Sequence, residues 1–366
     1  MSRASSERDT RSDQDYQNEV LVHVSRTFAL TIPQLPTGLR ESVTCAYLLC
    51  RIADTIEDEP TMEAQDKVRY LRQFSAVVGG QADAAQLATQ IAPQMSDRTP
   101  AHERELVANV ARVVSSVRRM ERREQAAIQR CVEVMCEGMH QFQRNASVRG
   151  LNRLTDLDSY CYHVAGVVGE MLTELFCARV PAMQPHAAAL RRLAPSFGQG
   201  LQMTNILKDM WEDRARGACW LPREIFERHG LNLEQLSPGR LQQGFQDSLT
   251  ELIGIAHGHL RNALSYTLLI PAGQSGIRRF CLWSIGLALL TLGQINRRPA
   301  FTAGSEVKVS RRTVVLVRTL SNMSARSDRV LRVLFAYAAR GLPLVEQNGV
   351  QADASNSVTE KLSHVG

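Results

Sequence analysis

The sequence predicts an all-α chain, a single helical bundle around a central apolar cavity. Three observations carry this. Apolar residues recur at intervals of three and four along nearly the whole chain, the period of a helix with one buried face. Alternating runs, the mark of half-buried strands, are scarce. Val307-Lys-Val309 and Val314-Val-Leu-Val317 are ambiguous, and the latter continues into Arg-Thr-Leu-Ser-Asn-Met at helical spacing. Hydrophobic residues make up 44% of the chain and charged residues 22%, the balance of a chain that folds around a core and not of a disordered one.

Nine periodic stretches follow in order. They are Val20 to Leu30, Leu39 to Glu57, Ala64 to Val78, His102 to Val117, Glu121 to Phe142, Leu157 to Cys177, Ala187 to Trp211, Arg240 to Thr267 and Gly276 to Ile295. Breakers separate them: Pro33 and Pro36, Pro60, Gly79-Gly80, Pro100, Pro181 and Pro185, Pro222, Pro238-Gly239, Pro271 with Gly273, and Pro299. Pro195 falls inside the seventh stretch and is expected to kink or divide it, since it lacks an N–H for the helical ladder. Thr155 or Asp156 is placed to cap the Leu157 helix, and Ser237-Pro-Gly to cap the one that follows. No fixed-period repeat and no long linker interrupts the chain. Residues 16–345 are therefore read as one domain of about ten helices, with mobile ends at 1–15 and 346–366.

Composition narrows the function. The net charge is +6 and the pI near 9.0, but Lys and Arg are dispersed along the sequence. Without a zinc finger or an aromatic RNA-binding signature, nucleic acid is not the expected partner. An anionic diphosphate or an acidic membrane surface suits a mildly basic protein equally well. The eight cysteines, at 45, 50, 131, 136, 161, 177, 219 and 281, lie mostly in apolar helical runs without a C-x-x-C. They are expected to be reduced core residues. Met1 to Asp15 has no apolar region, so secretion is not expected. The most apolar stretch, Phe280 to Ile295, contains Gly286, Gly293 and Gln294 and falls short of the ~18 residues of a membrane span. The expected location is cytoplasmic, with peripheral association at the inner face of the membrane as an option for product release.

The chemistry lies in two acidic clusters, Asp54-Thr-Ile-Glu-Asp58 and Asn205-Ile-Leu-Lys-Asp209-Met-Trp-Glu-Asp213. In each, aspartates four apart stack on one helix face, where like charges in apolar surroundings require a cation. Paired hard oxygen ligands, extended by the neutral Asn205, suit Mg²⁺ bridging to substrate phosphates. Ser25, Arg26, Arg51 and Lys208 lie where a diphosphate needs hydroxyl and cationic partners. In Tyr160-Cys-Tyr162-His163-Val-Ala-Gly166-Val-Val-Gly169, small residues allow close approach of a neighbouring helix or of a long apolar ligand. Tyr160 offers a phenol for proton transfer, and His163 is either a packed core histidine or a pocket residue. A di-iron carboxylate bundle is the rival class, since Glu137-Gly-Met-His140 supplies one Glu-x-x-His. A non-enzymatic helical scaffold is the other, but it has no need of two aspartate rows.

These segments resemble, over about Val22 to Asn322, the squalene and phytoene synthases, all-α enzymes of the trans-isoprenyl diphosphate synthase type. Ser25-Arg26-Thr-Phe28 resembles the family's S-R-S/T-F, and Tyr47 with Arg51 to Asp58 resembles its Y-x-x-x-R-x-x-D-x-x-E-D. Met135-Cys-Glu-Gly138-Met139 is similar to M-x-x-G-M, Tyr160 to Gly169 to Y-C-x-x-V-A-G-x-V-G, and Gln202 to Asp213 to Q-x-T-N-I-x-R/K-D-x-x-E-D. Phe280-Cys281-Leu-Trp and Glu306-Val-Lys308-Val-Ser-Arg311 resemble segments of the squalene-forming branch. Ser284 and Ser310 depart from that branch, where the eukaryotic members carry proline and arginine. No membrane-spanning tail of the eukaryotic kind follows, so a soluble, bacterial-type form is implied.

The resemblance implies Mg²⁺ held by Asp54, Asp58, Asn205, Asp209 and Asp213, and substrate contacts from Ser25, Arg26, Phe28, Tyr47, Arg51, Gln202, Asn205 and Lys208. It implies proton transfer at Tyr160, cation shelter at Phe280 and NADPH contacts from Lys308 and Arg311. The implied reaction is head-to-head condensation of two farnesyl diphosphates through presqualene diphosphate to squalene. Non-reductive formation of dehydrosqualene or phytoene is the alternative, and substrate chain length and oligomeric state are left open.

Overall fold

The computed structural model describes residues 2–25, 27–143, 147–240 and 242–347, without the side chains of 2–12 and 143. Arg26 and most of the expected C-terminal tail, 348–366, lie outside the described residues. Sixteen α-helices form among the described residues. The first eight are α1 (Ser2–Val24), α2 (Phe28–Thr31), α3 (Thr37–Asp58), α4 (Ala64–Val78), α5 (Ala84–Ile91), α6 (Ala101–Ala108), α7 (Val110–Arg119) and α8 (Arg122–Gln143). They are followed by α9 (Leu154–Cys161), α10 (Val167–Arg179), α11 (Ala187–Ala215), α12 (Arg223–Arg228), α13 (Gln243–Leu269), α14 (Ser275–Arg297), α15 (Arg311–Ser324) and α16 (Asp328–Ala338). No strand occurs among the described residues; Leu151 and Pro222 form an isolated bridge. All eight cysteines are buried and free.

The helices gather into two compact units. The first comprises Met1–Ala146, His163–Pro185 and Gln274–Phe280. The second comprises Ser147–Tyr162, His186–Gly273 and Cys281–Gly366.

In the first unit α3 is the central helix. It packs against α1, α4, α6, α7, α8 and α10, so apolar side chains surround it on nearly every side. From Ser42 to Glu57 every residue is buried except Tyr47, Arg51 and Asp54. The helix ends on Glu59, a carboxylate with no exposed surface. One of its oxygens accepts from the Thr61 N–H at 3.1 Å and the Thr61 hydroxyl at 2.8 Å. The other accepts from the Ser96 N–H at 3.1 Å and the Thr99 hydroxyl at 2.7 Å. Burial alone would raise the Glu59 pKa, but these donors hold it down to about 2. Glu59 thus ties the end of the aspartate helix to the loop before α6.

A π-helical turn, Tyr162–Gly166, joins α9 to α10. Such a turn holds one more residue than an α turn and re-aims the side chains around it. His163 then lies over Gly138 of α8, where any Cβ would overlap the histidine's own Cβ. Its ring also meets Phe142 edge-on at 6.1 Å. His163 is half-buried, and the glycine of the Met135–Met139 segment is its seat. Likewise α10 packs on α8 and α3.

In the second unit α11 and α13 form the principal pair. Gly200 permits their approach, since a Cβ there would stand 3.0 Å from that of His259. Pro195 does not divide α11, which runs unbroken from Ala187 to Ala215; packing along α13 holds both halves despite the missing hydrogen bond. α14 is long and apolar enough to cross a membrane by length and composition, contrary to the sequence expectation, and 67% of that window is buried within the protein.

Two outcomes test this packing. Gly138→Ala is expected to destabilise the fold by roughly 1–3 kcal/mol, because the added methyl must displace His163 and its backbone, and urea unfolding measures the loss. Glu59→Gln is expected to cost roughly 2–3 kcal/mol at neutral pH, through weakened charge-assisted bonds to four donors around a fully buried carboxylate. The folded pKa of about 2 lies below the ordinary 4.5. The Glu59 contribution is therefore complete above pH 4.5 and is lost as the pH falls toward 2. Unfolding curves of wild type and variant should converge over that window.

Candidate active site

The unburied stripe of α3 carries the first set of expected site residues. Tyr47, Arg51, Asp54 and Asp58 are spaced by four, three and four, which puts them in one row. Arg51 bonds to Glu103 of α6 and lies 3.8 Å from Asp54. Burial would lower the Arg51 pKa, but Asp54 and Glu103 more than reverse this and keep the guanidinium charged. Asp54 moves the other way. Desolvation first, then the Asp58 and Glu103 carboxylates, raise it from 3.8 to about 7, against the opposing pull of Arg51. Its side chain remains 35% exposed, so solvent screens part of that rise. Asp58 is exposed at the end of the row. Lys67 of α4 donates to the Glu57 carbonyl at 2.6 Å beneath it.

Aromatic rings gather beside this row. The Phe28 and Tyr47 rings lie 4.9 Å apart, and Phe280 lies 6.2 Å from both Phe28 and Phe176. Tyr47 donates to the Val24 carbonyl at 3.2 Å, and burial raises its pKa. The buried Ser25 hydroxyl accepts from the Phe28 N–H at 2.9 Å, so it shapes the start of α2. Three segments far apart in sequence, around Phe28, Tyr47 and Phe280, thus form one group in the first unit. The Phe280 contribution depends on Gly276, where a side chain would overlap the Gln34 carbonyl.

The second unit carries the other acidic row. On α11, Gln202 is half-buried, Asn205 exposed, and Asp209 40% exposed and paired with Lys208 at 3.0 Å. Asp213 is buried and bound to Arg216 at 2.5 Å. Between them, Glu212 accepts from the Gly304 N–H at 2.8 Å, and a Cβ at Gly304 would stand 2.8 Å from an Asp209 oxygen. The loop before α15 therefore lies directly on the aspartate row. Lys308, farther along the same loop, and Arg311, the first residue of α15, are exposed. Ser310, the departure from the family pattern, caps α15 by accepting from the Thr313 N–H at 3.2 Å. Tyr160 is buried and stacks on Trp220 at 4.2 Å. Two residues earlier, burial raises the Asp158 pKa, and one of its carboxyl oxygens is buried with no hydrogen-bond partner.

The sequence reading missed Glu59, Lys67, Glu103, Glu212 and Gly304. Each acts through a partner from a different helix or loop, which no local spacing announces. The di-iron alternative fails. Glu137 and His140 pair with each other at 3.6 Å along one helix, and no group of three or more His, Cys, Asp or Glu among the described residues is placed to hold an ion. Rows offering one or two carboxylates each fit Mg²⁺, which keeps waters and shares phosphate oxygens.

Residues 21–313 match the family described as squalene/phytoene synthase. The squalene synthase of Candida albicans is 30% identical over 292 residues, 78% of this chain and 62% of that protein. This chain therefore spans less than two thirds of that relative's length. The squalene synthase of Saccharomyces cerevisiae is 28% identical over 325 residues, 86% of this chain and 69% of the relative. Among solved structures, a TcSQS–ligand complex superposes with a TM-score of 0.70 at 25% identity, covering 89% of this chain and 91% of that one. A ligand-bound dehydrosqualene synthase shares the fold, with a TM-score of 0.65 at 22% identity and coverage of 87% and 99%. The all-α architecture and the ordered segments from Ser25 to Arg311 agree with this match along most of the sequence, and the chain belongs to the squalene/phytoene synthase family.

Proposed function

We propose that the chain is a prenyltransferase that joins two farnesyl diphosphates head to head, through presqualene diphosphate, and reduces the product with NADPH to squalene. The observation that carries this reading is the α3 stripe, where the otherwise buried wall of a helix opens along Tyr47, Arg51 and Asp54, beside the Phe28, Phe176 and Phe280 rings. A charged edge next to an aromatic wall suits a substrate with a diphosphate head and a long apolar tail.

In the first half-reaction the C1–O bond of one farnesyl diphosphate breaks, and the electron pair leaves with the diphosphate. Arg51 and Lys208 are the cations that meet this charge, and both are already held by carboxylates. Asp54 and Asp58 on one row, and Asn205, Asp209 and Asp213 on the other, are the residues that would hold Mg²⁺, which would supply the remaining positive charge. The double bond of the second substrate attacks the allylic cation. Loss of one proton closes the cyclopropane, with the Tyr160 hydroxyl as the candidate relay that passes it to the departed diphosphate. In the second half the remaining diphosphate leaves, and the rings of Phe28, Tyr47 and Phe280 shelter the cation and exclude water. Lys308 and Arg311 are the residues that would hold NADPH, which would supply the hydride for the reductive step. The products are squalene, two diphosphates, NADP⁺ and one proton.

One observation favours the non-reductive alternative. Ser310 serves as a helix cap where the eukaryotic squalene-forming members have arginine, which leaves the nucleotide segment one cation short.

Withholding NADPH is expected to leave presqualene diphosphate as the accumulating product, read by mass analysis after incubation with farnesyl diphosphate and Mg²⁺. Dehydrosqualene or a phytoene-like product in the presence of NADPH would decide for the alternative. Asp54→Asn is expected to lower turnover by at least roughly 100-fold and to remove the rise in melting temperature that Mg²⁺ plus diphosphate gives wild type. A carboxyl whose folded pKa exceeds its unfolded one costs stability as it ionises, so this cost grows from about pH 4 to about pH 7. The asparagine variant should therefore equal wild type in acid and melt at the same or a higher temperature at pH 8; a large loss of stability there would count against the assignment.

A further inference from the structure

The last two helices carry charge and apolar surface that the candidate site does not use. Residues 311–340 contain seven arginines, 311, 312, 318, 326, 329, 332 and 340, against one carboxylate, Asp328. That is a formal +6 within a short segment, as large as the net charge of the whole chain. All seven arginines are exposed. The basic residues, expected to be dispersed along the sequence, are concentrated in this one stretch of it.

Each helix is anchored by one face only. Val317 of α15 fits against Gly286 of α14, where a Cβ would stand 2.8 Å from it. Leu331 of α16 packs with Leu264, Leu282 and Ala325, joined by Phe335. A second face of each helix, turned away from the anchor, is apolar and open to solvent. On α15, Leu316 (55% exposed), Leu320 (38%) and Met323 (80%) follow at intervals of four and three, with Arg312 one turn ahead. On α16, Val330 (44%), Val333 (67%) and Tyr337 (76%) follow at three and four, and Arg326 and Arg340 lie just beyond the ends of the helix. The two helices pack against each other.

Single exposed apolar residues are ordinary on a protein surface, but six in two rows on paired helices are not. Rows of apolar residues ending in arginine match the water–lipid boundary, where side-chain tips enter the acyl region and guanidinium groups meet phosphate. A second copy of the chain fits poorly, because a shared apolar face would bring two sets of seven arginines together. A nucleic acid would use the arginines and leave Met323, Val333 and Tyr337 in water. We infer that the α15–α16 hairpin is a docking surface for an anionic lipid bilayer.

The test uses the full chain and sedimentation with phosphatidylcholine vesicles, with and without phosphatidylglycerol. Wild type is expected to bind the mixed vesicles, to bind the neutral ones weakly, and to be released as salt rises. The triple variant Arg312→Glu, Arg326→Glu, Arg340→Glu should bind mixed vesicles roughly 100-fold more weakly. The variant Met323→Ser, Val333→Ser, Tyr337→Ser should bind roughly 10-fold more weakly. Both variants change only exposed side chains, so their melting temperatures should match wild type. Three results would each overturn the inference: no binding by wild type, equal binding by wild type and both variants, or a concentration-dependent dimer in wild type that the serine variant abolishes.

Discussion

The first unit depends on a helix that has almost no free side. With six helices packed around α3, burying a charge without partners would cost several kcal/mol, so its polar groups are confined to the line left open. Tyr47, Arg51 and Asp54 occupy that line, and every residue around them from Ser42 to Glu57 is buried. Rotating α3 by one residue would drive two charges into Leu48, Leu49 and Ile52. Glu59 fixes the far end by four hydrogen bonds, and Pro36 precedes the first turn. The carboxylates are thereby positioned by apolar packing, with little contribution from each other, since Asp54 and Asp58 repel.

The same economy governs the turn between α9 and α10. The π-helical residues Tyr162–Gly166 set His163 over Gly138, and α10 continues onto α8 and α3. Segments that look like functional motifs in a sequence here divide into two kinds. Tyr47 to Asp58 presents a row of polar and charged side chains. Met135 to Met139, by contrast, holds a glycine whose purpose is to make room.

Much of this was legible in the sequence because long amphipathic helices advertise themselves. The Ala64–Val78 helix has the limits that its periodicity predicts, and α3, α8, α13 and α14 lie close to theirs. The eight-residue α5 escapes, as a segment so short barely completes two periods. So does α16, whose outward apolar row blurs the contrast between its faces. The break at Asn109 between α6 and α7 leaves the apolar spacing almost unchanged and is invisible to it. The aspartate rows were readable as spacing alone. Their settings were not: Arg51 meets Glu103, Asp213 meets Arg216, and Glu212 meets a backbone N–H 92 positions away. Partners such as Glu103 and the Gly304 N–H meet these rows only once the chain has folded, whereas the seven arginines of residues 311–340 stand close together in the sequence itself.

Gly304 carries a consequence for engineering. Its amide is spent on Glu212, and its Cα is pressed against Asp209, with no room for even a methyl group. Four residues on stands Lys308, and then Ser310, whose hydroxyl starts α15. An acidic helix and the basic segment after α14 are thus mechanically geared through one hydrogen atom's worth of space. Swapping the 304–311 segment for that of a homologue would disturb the Asp209 and Glu212 carboxylates unless a glycine were kept at this contact.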